Sequence, residues 1–139
     1  MKKLLLLTLF IISTSIHADS SKITFSDGWI KQLPPVVPVR AGYIKIDNPS
    51  DVEVEITSLH SDVFEAVEMH ETTMEAGMMK MAELFSVKLP AKSKVELKPG
   101  AKHIMFITPK FPLAIGDSVK MTVTFSDQKT QVVNFEVKK

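Results

Sequence analysis

VKMTVTFSDQKTQVVNFEV, residues 119–137, sets the pattern by which the whole chain is read. Val119, Met121, Val123 and Phe125 alternate with Lys120, Thr122, Thr124 and Ser126. Successive side chains of a strand point to opposite faces, so this alternation gives one apolar and one polar face. SDQK then supplies turn residues, and a second extended run leads from Val132 to Val137.

The same period recurs upstream. Tyr43 to Asp47 reads as a strand, ended by the turn residues NPSD at 48–51. Val52, Val54 and Ile56 alternate with Glu53, Glu55 and Thr57. Further extended runs cover Val63 to Thr72 and, after an Ala-Gly turn, Met78 to Val87. Val95 and Leu97 precede the Pro99-Gly100 turn, and His103 to Thr108 is a short apolar run. No stretch keeps a helical period. Regular short strands separated by turn signals predict an all-β sandwich or barrel in a single domain. The Pro-rich segment QLPPVVPVR, 32–40, cannot be a central strand and is expected to cross between sheets. The segment PKFPLAIGD, 109–117, reads as a similar loop ending at a turn.

The first residues carry a different signal. Lys2 and Lys3 precede the apolar run Leu4 to Ile12, and small or polar residues lead to Ala18 and Asp19. This is the pattern of a secretory signal peptide over residues 1–18, with cleavage after Ala18 and a mature domain over 19–139. The run is too short for a comfortable membrane span, which needs roughly 20 residues, so no membrane insertion is expected after cleavage. The chain has 139 residues, a net charge of +1 and no cysteine. The absence of cysteine excludes disulfides and a lipid-modified cysteine. The near-neutral charge gives no reason to expect nucleic acid or an anionic membrane as partner.

The chemistry concentrates in HETTMEAGMMKM, 70–81, and in HIM, 103–105. Met69, Met74, Met78, Met79 and Met81 crowd into one stretch of a chain with 8 methionines and 4 histidines. Alternation puts His103 and Met105 on one face of their strand and Ile104 and Phe106 on the other. The Ile104/Phe106 face is the better candidate for the core, which turns His103 and Met105 away from it. Met79 and Met81 share a face, and His70 lies opposite Met69. Imidazole nitrogens and thioether sulfurs form a soft, uncharged donor set that suits Cu(I) rather than hard cations. Thioethers need no deprotonation and form no disulfides, although oxidation to sulfoxide removes the soft donor. Met121 and Met69 read as core. Met74 and Met78 are either auxiliary donors or simply exposed, and His60 reads as a surface or hydrogen-bonded histidine.

The gaps between His70, Met81, His103 and Met105 follow H-x10-M-x21-H-x-M. That spacing, with VEMHETTMEAGMMKM at 67–81 and LKPGAKHIMFI at 97–107, resembles the periplasmic copper chaperone family PCu(A)C. DGWIKQLPPVVPVRAGYIKIDNPSD, 27–51, resembles the family's Trp-containing start, Pro-rich loop and first long strand. The resemblance runs from about Ile23 to Val137. It implies a cupredoxin-like β-sandwich that binds one Cu(I) through His70, Met81, His103 and Met105. It also implies delivery of copper to the copper centres of cytochrome c oxidase, or to another copper-transfer protein, by a periplasmic monomer. Some members carry a His- and Met-rich C-terminal extension that binds Cu(II). This sequence ends NFEVKK, so a second site of that kind is not expected.

Other readings remain at this stage. A blue-copper electron carrier needs a cysteine ligand, which the chain lacks. An enzyme is disfavoured, because no nucleophile–histidine pattern or HExxH stands out, and Asp27 and Asp117 read as turn residues. Copper storage or tolerance without a client, and a β-sandwich that binds protein or peptide without metal, stay open. If the histidines bind metal, they must be neutral to do so. Binding should then weaken as pH falls below about 6.5, the ordinary histidine value.

Overall fold

The computed structural model describes Ser20 and residues 23–139. The expected signal peptide therefore lies outside the described residues. Ten strands follow one another: β1 Thr24–Lys31, β2 Val39–Asn48, β3 Val54–His60, β4 Phe64–Glu75, β5 Met78–Leu84, β6 Val87–Leu89, β7 Ser93–Leu97, β8 Lys102–Pro109, β9 Ser118–Phe125 and β10 Thr130–Lys138. The fold is all-β, as the alternation predicts, and no α-helix occurs among the described residues.

The strands form one continuous sheet in the order β5-β4-β8-β2-β1-β10-β9-β3-β6, with β7 also paired to β2. Neighbours are antiparallel except β1 and β10, which run parallel. The first half of β2 pairs with β8 and its second half with β7. The sheet wraps around a single core. Val119, Met121, Val123 and Phe125 of β9 and Phe135 and Val137 of β10 are at most 1% exposed. Phe106 of β8 joins this core, its ring centroid 5.4 Å from Phe135 in an edge-on contact and 4.9 Å from Phe64. Gly42 makes room for it: a Cβ there would lie 2.4 Å from the Phe106 ring.

Three local readings differ from the structure. The Pro-rich loop does not cross between sheets. It joins β1 to β2, which are antiparallel neighbours. Buried Arg40 reaches back to it, donating a hydrogen bond from Nη2 to the Leu33 carbonyl at 3.4 Å. Asp27 is not in a turn but in a bulge within β1, where the register shifts between Ser26 and Trp29. It holds φ 55° there and pairs with Lys45 at 2.8 Å. The extended run after the Ala-Gly turn breaks after Leu84, so that Val87 begins a separate strand against β3.

The turn between β4 and β5 behaves as its residues dictate. Ala76 and Gly77 both take positive φ, 49° and 77°, the conformation of a tight two-residue hairpin. That turn fixes the register of β5 on β4, and the register places the methionines.

Candidate metal centre

The site is built on the outward face of β5, β4 and β8. Residues directly opposite one another on antiparallel strands share a face. On β4, Met69 is buried at 6% and faces the core, so Glu68, His70, Thr72 and Met74 face outward. Across β8, His70 pairs with His103 and Glu68 with Met105. Across β5, His70 pairs with Glu83, Thr72 with Met81 and Met74 with Met79. Ile104 and Phe106 point into the core, at 1% and 0% exposure. The parity predicted from the sequence therefore holds on both strands.

The four predicted residues thus share one face but not one row. His70 and His103 stand side by side, with ring centroids 5.9 Å apart. Met81 lies one row toward the hairpin tip on β5, and Met105 one row the other way on β8. Rows are about 7 Å apart along a strand, two residues at about 3.4 Å each. The two thioethers therefore flank the histidine pair from opposite corners. Met81 is exposed and Met105 half-buried. His103 points outward, yet it is 5% exposed, so its ring is covered by its neighbours rather than open to water.

The hydrogen bonds decide what each imidazole can do. His103 Nδ1 lies 3.0 Å from the Ala101 carbonyl. A carbonyl can only accept, so Nδ1 carries the proton and Nε2 keeps its lone pair. His70 Nε2 lies 2.8 Å from Glu68 Oε2. An ionised carboxylate likewise only accepts, so the free lone pair of neutral His70 is on Nδ1. That Nδ1 is buried and has no hydrogen-bond partner. A buried acceptor without a partner costs about 1–3 kcal/mol, and a metal ion bound there would remove the cost. An imidazole anchored through one nitrogen to a carboxylate or carbonyl, with the other free, is the usual arrangement of a metal-binding histidine.

The ring spacing fits this chemistry. Imidazole nitrogens sit about 2 Å from a bound first-row metal, so two rings sharing one ion have centroids on the order of 6 Å apart. Glu68 was not among the predicted site residues. Its signal was local: two positions before His70, it had to share the histidine's face on a strand. Among the described residues no group of three His, Cys, Asp or Glu side chains is placed to hold a metal ion. Met74 and Met79 form the next outward pair, 65% and 71% exposed. Met78 lies on the opposite face, paired with Glu75. His60 is exposed and bonds Asp62 at 3.0 Å, away from the site.

Known proteins match this chain along most of its length. The family described as "Putative lipoprotein LpqE-like" matches residues 23–137. A relative in Rickettsia prowazekii, "Uncharacterized protein RP573", is 30% identical over 70% of this chain, which spans 54% of that protein, about half its length. "Putative lipoprotein Lxx21020" of Leifsonia xyli is 30% identical over 88% of this chain and 72% of its own. Among solved structures, the copper-bound PCuAC domain from PmoF2 superposes with a TM-score of 0.71 at 20% identity, covering 84% of this chain and 92% of that one. The solution structure of Cu(I)-DR1885 from Deinococcus radiodurans gives 0.63 at 25% identity, covering 81% and 75%. Both the family match, which spans nearly every described residue, and these superpositions lead to one assignment: the chain belongs to the LpqE-like family and has the cupredoxin-like PCuAC fold.

Proposed function

We propose that this protein is a copper carrier that works outside the cytoplasm, holding one Cu(I) between His70 and His103 with Met81 and Met105 completing the site. The observation that carries the reading is the histidine pair. Two imidazoles face each other across β4 and β8, each tied through one nitrogen and each with the other free, and one free nitrogen is a buried atom with no partner.

Each donor has its own part. His103 Nε2 and His70 Nδ1 are σ-donors fixed in orientation by Ala101 and Glu68. The two thioethers add soft ligation that favours Cu(I) over Cu(II) and over hard cations. Met81 sits on an edge strand and has three rotatable bonds, so it can swing toward the histidines as copper binds and away as copper leaves. All four donors are neutral. Copper is therefore held without a thiolate's grip and passes to an acceptor by stepwise exchange of ligands. The role is carriage, not catalysis. Acceptors are the copper centres of cytochrome c oxidase or another copper-transfer protein. Export by residues 1–18 and a monomeric mature domain from Asp19 belong to the same reading, and the lipoprotein naming of the Leifsonia relative supports an envelope location.

The test is a Cu(I) titration of residues 19–139 under anaerobic, reducing conditions against a chromophoric chelator, with His103→Ala and Met81→Leu beside the wild type. One tight equivalent, weakened in both variants, is expected. Absence of binding, or binding indifferent to both substitutions, would discard the copper reading.

A further inference from the structure

The hairpin formed by β4 and β5 extends beyond the histidine pair, and its two faces differ in chemistry. One face carries Thr73, Glu75, Met78 and Lys80, with Lys80 donating a hydrogen bond to Glu75. The other, continuous with the His70 face, carries Thr72 and Met81 in one row and Met74 and Met79 in the next. Met74, Met79 and Met81 are 65%, 71% and 53% exposed. Methionine at such exposure gains little from packing, and here the thioethers lie in register rather than scattered.

Opposite residues of an antiparallel pair have Cβ atoms about 5 Å apart, close enough for two methionine side chains to hold one ion between their sulfurs. The next row is about 7 Å away, within reach of a long, flexible side chain. Met81 can thus serve either row.

We propose that Met74 and Met79 form an outer Cu(I) site, weaker than the histidine site, and that copper steps from it to Met81 and then to His70 and His103. The proposal rests on the copper-carrying reading above. The outer site lacks imidazole and is open to solvent, so it binds and releases readily. Transfer is ligand exchange: copper remains Cu(I), thioethers have no proton to lose, and the receiving imidazole nitrogens already carry lone pairs. Met78, equally exposed but on the wrong face, takes no part and is the internal control.

The experiment labels the methionine methyl groups with 13C and titrates the mature protein with Cu(I) anaerobically, following each methyl by NMR. In the wild type, Met81 and Met105 are expected to shift during the first equivalent. Met74 and Met79 follow with the second, and Met78 stays in place. Met74→Leu combined with Met79→Leu should lose the second phase and keep the first. If Met74 and Met79 stay unmoved in excess Cu(I) while Met81 and Met105 shift, the outer site is overturned and the histidine site stands. A shift of Met78 in step with its neighbours would equally overturn it, as unspecific capture by surface thioethers. Silence at Met81 and Met105 would overturn the inner-site reading, and this proposal with it.

Discussion

Met121 and Met79 are the same residue type on strands of the same sheet, one 1% exposed and the other 71%. Met121 belongs to β9, which pairs with β10 and turns its apolar face into the core. Met79 belongs to β5, the edge strand, whose residues from Met78 to Glu83 are all exposed. The contrast separates two uses of one side chain. In the centre of the sheet methionine is volume that keeps water out. At the edge it is an exposed thioether, open to solvent and to whatever approaches from it. β8 joins the two regions, with Ile104 and Phe106 buried inside and His103 and Met105 on the outward face. Core packing and the proposed ligation therefore fall on opposite faces of β8, and should respond to different substitutions.

The largest expected effect lies in the core. Phe135 is fully buried and packs edge-on against Phe106. Phe135→Ala should cost about 3–5 kcal/mol of stability, seen as a lower denaturant midpoint. Met79→Leu, on the exposed edge, should stay within about 0.5 kcal/mol. Comparable losses in both variants would mean that the edge carries part of the packing and would collapse the distinction.

The next effect is on binding alone. Glu68→Gln keeps the shape of the side chain but replaces the carboxylate that fixes the His70 tautomer. Loss of such a partner typically costs about 10–100-fold in metal affinity. Thermal stability should change little, since Glu68 lies on the outward face. An unchanged Cu(I) affinity in the chelator competition would show that His70 is oriented by something other than Glu68.

How much of this was legible in the sequence follows the same division. The β9–β10 hairpin was plain, because one face is apolar without interruption. β1 was not, because the Asp27-Gly28 bulge breaks the alternation and reads as a turn. The partners of β2 were also hidden: that β7 and β8 share its length is a matter of pairing between distant segments, which no local pattern records. At the site, parity alone put His103 and Met105 on the outward face. It could not say that Met81 would stand opposite Thr72 and Met105 opposite Glu68, because register depends on the tight turn at Ala76-Gly77 and on the contacts of β4 with β8. The covering of His103 was likewise invisible, being a product of neighbouring strands.

The smallest effect concerns the turn between β9 and β10, two strands that do not pair with β4, β5 or β8. Burial alone would push the Asp127 carboxyl up. It is outweighed by hydrogen bonds from the Lys129 backbone and from the Ser20 hydroxyl and backbone N–H, with the Lys129 ammonium nearby. The net result lies below the ordinary value of 3.8. A carboxyl whose folded-state pKa is depressed adds stability that is fully present above its unfolded value and is lost as pH falls through the folded one. Asp127 should therefore contribute fully at neutral pH, with its share disappearing only below about pH 4. Asp127→Asn should lower the melting temperature slightly at neutral pH and flatten its decline in acid, leaving Cu(I) affinity at pH 7 unchanged. If the variant and the wild type decline in parallel below that pH, the tie between Ser20 and the turn contributes nothing to folding.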